Sequence, residues 1–483
     1  MKNTMNNIFI ILFVTLFSAC SNQKIDNDSP RENNDDSPVI HQGLSDDMLL
    51  DTIQYYTFQY FWDGAESNSG LARERIHLSG IYPQNDQDVV TTGGSGFGMM
   101  AILVGIHRGF ISREQGLQRF EKIANFLENA DRFHGAWPHW MNGKTGKVVP
   151  FGTKDNGGDV VESSFLAQAL VCVQEYFKNG NQQEQKLSNR MKTLWQGIEY
   201  NWYERDDSHV LYWHWSPNYG WDMNFALEGY NEVLVTYILG ASSPQYTIKP
   251  ESYHEGWARN GDIVKPKSKY GYTLTLKHNG NPSAGGPLFW AHYSYIGFNP
   301  SITSDRYANY WDINVAHVMM NRAYCIQNPK KYKGYGEDLW GLTASYSIKG
   351  YSAWEAGGGR QRNDLIADNI YMGYAAHSPD RDYGIISPTA ALSSFPYAPD
   401  ECMKVAKTIY FKYGEKTFGK YGPFDAFSLE NNWFPETYLA IDQGPIVCMI
   451  ENYRSKLLWN LFMNNEDVKK GLQLLDFKVE DNK

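Results

Sequence analysis

The sequence predicts an all-α fold, a toroid of paired inner and outer helices. Three observations lead there. About a dozen stretches carry apolar residues at helical spacing. The segments between them are long and rich in aromatic residues and glycine, as at residues 210–221 and 271–299. No fixed-period self-similarity marks a solenoid, so long loops gathered at one end of a barrel, framing a cleft, are the simpler arrangement.

The first nineteen residues read as a signal peptide: Lys2, an apolar run from Ile8 to Phe17, then Ser18 and Ala19 before a cysteine. The run is too short to span a bilayer. Cys20 is the expected lipidation site, which places the protein in the cell envelope, anchored to the outer membrane by lipid only. Residues 20–43 are rich in Asn, Asp and Ser and form a tether without a core. No second linker follows, so residues 44–483 are expected to be one domain, and a monomer.

Helices are expected at 48–62, capped by Ser45, and at 96–107. The next begins at Ser112 with Gln115 closing a capping box. Others fit 160–177, 183–203, 225–239, 305–325, 400–413, 444–453, 456–463 and 466–475, with one less defined near 340–347. Cys172, Cys325, Cys402 and Cys448 show no paired spacing. They read as buried free thiols.

Aromatic residues make up 15% of the chain, with 15 Trp and 33 Tyr, more than a core requires. Flat rings suit sugar faces. The net charge of −10 and the lack of a Lys/Arg block exclude a nucleic-acid binder and favour a neutral polymer. The glycines of residues 93–98 fit neither a phosphate loop, a dinucleotide fingerprint nor a serine elbow, and read as entry to a tightly packed helix. His254-Glu255 lacks a second histidine at metal spacing. His134, His139 and His292 read as polar cleft or core residues, and neither metal nor cofactor is expected.

Two acidic spots remain. The turn at residues 154–162 carries Asp155 and Asp159 at its ends, and Glu232 sits against Val233, Leu234 and Val235. Apolar surroundings favour a protonated Glu232, whereas turn amides and Lys154 favour ionised aspartates, a division that suits general acid and base. The same residues also have structural readings. Asp159 and Glu162 match a capping box, and Glu232 an early-helix acid.

Ordered segments across the chain resemble the bacterial glycoamylase-like proteins of glycoside hydrolase family 144. They include FQYFWDGAESNSGLARER, GFGMMAILVGIHRGFISR, YWHWSPNYGW, LEGYNEVLVTYILGASSP, GPLFWAHYS and LAIDQGPIVCMIENYRS. The resemblance implies an (α/α)6 barrel hydrolysing β-1,2-glucan with anomeric inversion. It puts Glu232 as general acid and Asp155 or Asp159 as base, with Asp425 and Asp442 as alternative bases; Glu162 and Glu451 read as structural. Trp137, Trp215, Trp221, Phe289, His292 and Trp340 are the expected sugar contacts. An α-glucan hydrolase and a non-catalytic glycan-binding lipoprotein are the competing readings.

Overall fold

The computed structural model describes residues 38–78, 86–206, 208–348 and 373–480. The leader, Cys20 and the tether as far as residue 37 lie outside them. Among the described residues no helix is long and apolar enough to cross a membrane. The helices are α1 (Asp46–Trp62), α2 (Thr92–His107), α3 (Arg113–Leu127), α4 (Val160–Phe177), α5 (Gln182–Gln196), α6 (Leu234–Ser242) and α7 (Tyr310–Gln327). They continue with α8 (Pro388–Leu392), α9 (Pro399–Lys407), α10 (Gly414–Thr417), α11 (Ala440–Ser455), α12 (Leu457–Met463) and α13 (Glu466–Leu474).

Burial sorts these into two rings. Every residue of α2 from Thr92 to Gly105 is buried, as is nearly all of α4 and the whole of α6. A helix apolar all round has no solvent face and belongs inside. By contrast α1, α3 and α5 bury one stripe each, such as Leu117, Phe120, Ala124 and Leu127 of α3. Outer and inner members alternate along the chain. The inner ring is completed by the 3-10 turns Leu288–Ala291 and Tyr293–Tyr295, by α8 and by α11, and the outer ring by the π-helical turn Ser252–Trp257, α7 and α9. Six pairs result, the (α/α)6 toroid that the sequence predicts.

The glycines of α2 let its neighbours close in. A methyl at Gly96 would lie 2.5 Å from the Phe165 carbonyl oxygen and 2.6 Å from the Leu166 Cα, so α2 meets α4 backbone to backbone. Short antiparallel strands lead directly into three inner helices. Val89–Thr91, paired with Trp140–Asn142, enters α2; Gly158–Asp159, paired with His214–Trp215, enters α4; Thr437–Leu439, paired with Arg75–His77, enters α11. The mouth is therefore at the N-terminal ends of the inner helices. At the other end α12 lies across the ring, with Trp459 Nε1 donating to the Tyr295 carbonyl at 2.7 Å.

Several element boundaries depart from the sequence expectation. Helix α6 begins at Leu234, not near 225, because the preceding residues bridge back at Tyr212 and Ala226 and hydrogen-bond from Leu227 to Leu211. Helix α5 stops at Gln196 before Gly197, and α7 starts at Tyr310 because Asp305 caps its own turn, accepting from the amides of Tyr307 and Ala308. The stretch near 340–347 is no helix: Ala344–Ser347 is a strand paired with Gly373–Ala376. The long loop at 271–299 contains a strand, Tyr272–Leu276, and an inner-ring member. Among the described residues, Cys172, Cys325, Cys402 and Cys448 are free and buried, as anticipated.

Gly96→Ala is expected to lower stability by about 2 kcal/mol, the overpacking cost exceeding the ~1 kcal/mol that alanine gains in a helix. Urea unfolding of the two proteins measures this directly.

Candidate active site

A cavity of about 650 Å³ opens at the N-terminal ends of the inner helices. Thr91, Glu162, Glu232, Phe289 and Ile441 line it, from the starts of five inner members. Helix N-termini converging on one space favour negative charge there. Trp213, Met223 and Phe225 of the aromatic loop, with Phe151 and Trp140, form much of the apolar wall.

Glu232 stands two residues before α6. Its backbone carbonyl accepts from the Ser294 hydroxyl, and its carboxylate accepts a hydrogen bond from Trp290. Burial pushes its pKa up to about 7, with Glu162 and Asp159 adding to the rise and Trp290 opposing it. Glu162, in the first turn of α4, was read as closing a capping box. Instead it reaches across to α2, where Oε2 accepts from the Gly93 amide at 2.7 Å. A Cβ on Gly93 would collide with that carboxylate, so the glycine makes room for it. Burial raises Glu162 to about 7 as well, with Asp159 and Glu74 pushing upward and His139 and the Gly93 amide pulling down. Two carboxyls poised near neutrality in one cavity can serve as acid and base at the same pH.

Asp159 is fully buried and caps α4. Its Oδ1 accepts from the amides of Val161 and Glu162, both at 2.9 Å; its Oδ2 accepts from His139 Nδ1 at 2.9 Å and Trp213 Nε1 at 2.7 Å. Four donors fill the oxygens, leaving no lone pair directed at a water. Asp155 is also buried, 3.2 Å from His214 Nε2 and 3.7 Å from His139 Nδ1. His214 Nε2 accepts from the Gly157 amide at 3.0 Å, so it has no proton to give Asp155. Burial accordingly raises Asp155 to about 7 and lowers His214 to about 4.

His139 lies between this pair and the cavity. Burial opposes its charge, but Glu162, Asp159 and Asp155 together outweigh it and raise its pKa to about 10. His139, Asp155 and Asp159 bring ligand-type atoms within 4.8 Å of one another. The donor set does not suit a cation, because the Nδ1 proton already bonds Asp159 and the Asp159 oxygens are saturated. The cluster is an ion-pair network of one imidazole among carboxyls.

Asp425 and Asp442 are buried beneath Tyr346 and Tyr293, two residues of the cavity wall. Asp425 Oδ2 accepts from the Tyr346 amide at 2.7 Å and Asp442 Oδ1 from the Tyr293 hydroxyl at 3.2 Å. They hydrogen-bond each other, and burial raises both, so the pair holds a proton between them. Of the expected sugar contacts, Phe289 lines the cavity. Trp137 and Trp340 are fully buried, and Trp137 donates to the Leu127 carbonyl at 3.2 Å, so neither offers a face to a sugar. His292 is buried too, bonded to Ser394 at 2.9 Å. Trp215 and Trp221 pack around Trp202 and do not line the cavity.

The sequence reading missed four cavity residues. Spacing alone reads Glu162 as a cap, and His139 as a polar cleft or core residue with no role of its own. Glu74 and Arg75, ion-paired at the wall with Arg75 over the Trp140 ring, close the FQYFWDGAESNSGLARER segment but were given no role there. The glycine opposite Glu162 was a usable signal, since Gly93 stands where a side chain would exclude the acid.

Fold, aromatic mouth and paired cavity carboxylates define the class: a carbohydrate-active (α/α)6 barrel of the glycoside hydrolase kind. Known proteins supply the family. The Glycoamylase family model matches residues 224–466. Over 445 residues the chain is 44% identical to the exo β-1,2-glucooligosaccharide sophorohydrolase of Parabacteroides distasonis, spanning 89% of this chain and 58% of that protein. It is 57% identical to the endo-β-1,2-glucanase of Chitinophaga pinensis, solved with sophorotriose and glucose. The TM-score is 0.84, with 90% of this chain and 99% of that one covered. An endo-β-1,2-glucanase of Talaromyces funiculosus, 11% identical at TM-score 0.58 over 89% and 92% of the chains, shares the fold alone. The chain belongs to the Glycoamylase family, and the resemblance read from its sequence holds.

The raised carboxyls set a sign for stability. Between about pH 4.5 and 7 the folded protein keeps protons on Glu162 and Glu232 that the unfolded chain has released, so stability falls as pH rises. His139 extends the fall from 6.5 towards 10. Glu232→Gln removes one contribution. Its melting temperature should exceed wild type by about 2 °C or more at pH 8 and match it at pH 4, as differential scanning fluorimetry at the two pH values would read.

Proposed function

We propose that this protein hydrolyses β-1,2-linked glucan or its oligosaccharides with inversion, Glu232 acting as general acid and Glu162 as general base. The carrying observation is that these two carboxyls face one cavity at the starts of α4 and α6. Inversion requires an acid at the glycosidic oxygen and a base holding water on the far side of the ring. Glu232, desolvated and bonded to Trp290, suits the protonated role. Glu162 has the Gly93 amide and His139 to favour its ionised form. Asp159 and Asp155 stand behind His139 and act through it; Asp425 and Asp442 hold the wall. The β-1,2 linkage is supported by the names of the Chitinophaga and Parabacteroides relatives. Envelope anchoring through Cys20 is supported by the apolar leader that precedes it.

Incubation of the purified protein with β-1,2-glucan, with products resolved by size and anomer by NMR, tests this reading. The α-anomer should appear first. Glu232→Gln and Glu162→Gln should each lower kcat by about 10³-fold or more while oligosaccharide affinity stays within a few-fold. Cleavage of starch instead would move the substrate to α-glucans, and binding without cleavage of any glucan would establish a glycan-binding protein.

A further inference from the structure

One group in the cavity is not used by the acid and base. His139 lines the cavity, its ring stacked on Phe151 at 4.3 Å between centroids. Its Nδ1 is committed to Asp159 at 2.9 Å. Its Nε2 has no protein partner among the described residues, yet it is not among the buried polar atoms left without one, so it keeps access to the cavity. The backbone is held too: the Thr92 amide donates to the His139 carbonyl at 3.1 Å. A donor fixed in orientation and left open on one side is an arrangement that binds ligand oxygen.

We propose that His139 is a substrate-contacting residue, its Nδ1–H locked by Asp159 and its Nε2–H offered to a hydroxyl of the sugar bound in the cavity of Glu162 and Glu232. Asp159 and Asp155 are then positioning residues. Asp159 fixes the ring's orientation and tautomer, and Asp155 adds a second carboxyl group 3.7 Å from the same nitrogen, beyond hydrogen-bond reach. The charged groups that bear on the ring are Asp159 and Glu162 from α4 and Asp155 from the turn before it. Neutral His214 backs Asp155, and Glu74 acts on Glu162 from the cavity wall. The balance is anionic, so the ring keeps both protons at neutral pH and gives the cavity a positive donor facing two acids.

This rests on the glucan-hydrolase reading, and the experiment separates the two. In ¹⁵N-histidine-labelled protein, with the His139 signal assigned by its loss in His139→Asn, wild type should show both ring nitrogens protonated at pH 8. Nε2 should shift on adding a β-1,2-linked disaccharide. Asparagine can place an N–H near the Nδ1 position and keep the Asp159 bond while removing the cavity-facing donor. His139→Asn should therefore melt within a few degrees of wild type yet lose about 10- to 100-fold in kcat/KM, the range for a charged hydrogen bond. His139→Gln, which can extend an amide towards the Nε2 position, should recover part of that loss. A ring that is neutral at pH 8, an Nε2 signal unmoved by saturating disaccharide, or a His139→Asn enzyme within threefold of wild type would overturn the proposal. If His139→Asn does not fold, His139→Gln supplies the assignment, and the wild-type protonation and shift decide it. Absence of turnover by wild type would strike the hydrolase reading alone, since ring protonation and ligand shift are read without catalysis.

Discussion

The Asp159 carboxylate is where the site is assembled. Through one side chain it caps α4, holds the indole of Trp213 from the aromatic loop and fixes His139 from the segment before Trp140. These segments are distant in sequence and meet because one buried charge must find enough donors to replace its lost hydration. The same requirement makes the cavity wall rigid. Removing any of these donors would leave a desolvated charge short of partners, which costs more than the bond itself is worth in water.

The remaining acids answer the same constraint differently. Asp159 is satisfied by N–H donors, and Asp425 and Asp442 by sharing a proton. Glu451, far from the cavity, is satisfied by Arg108 at 2.6 and 2.9 Å, which holds it below the usual carboxylate range despite burial. Among the described acids, Glu162 and Glu232 combine raised values with a place on the cavity wall. Unsatisfied capacity is what chemistry uses, and beside it stands Asp159, whose oxygens are held by four donors.

What the sequence showed and hid follows from this. Signals that act within one turn were legible: the Ser112–Gln115 capping box is present with both bonds, and Asp159 caps α4 as its spacing suggests. Signals that need the third dimension were not. The i to i+3 spacing that pairs Asp159 with Glu162 is the same whether Glu162 turns back to its own N-cap or across to Gly93, and only the proximity of α2 decides. Aromatic content pointed correctly to a ring-rich mouth. It could not distinguish Trp137 and Trp340, consumed by the core, from Phe225 and Trp213, which face the cavity. Inner members without helical periodicity, such as Leu288–Ala291, were invisible because a segment buried all round has no polar face to set a phase.

Two buried carboxyl pairs flank the cavity, and their difference explains why one borders chemistry and the other only holds a wall. Asp425 and Asp442 share a proton between them and accept from the Tyr346 amide and the Tyr293 hydroxyl, a closed arrangement that spends those donors on the pair. Asp155 and Asp159 stand instead behind a histidine that has a second nitrogen. Whatever charge they stabilise is carried one ring-width toward the cavity and emerges as a donor beside Glu162. An aspartate pair that only capped a helix would need no imidazole in front of it, and a base working alone would need a free lone pair that Asp159 lacks. The geometry is that of a charge held at a distance, with the ring as its working end.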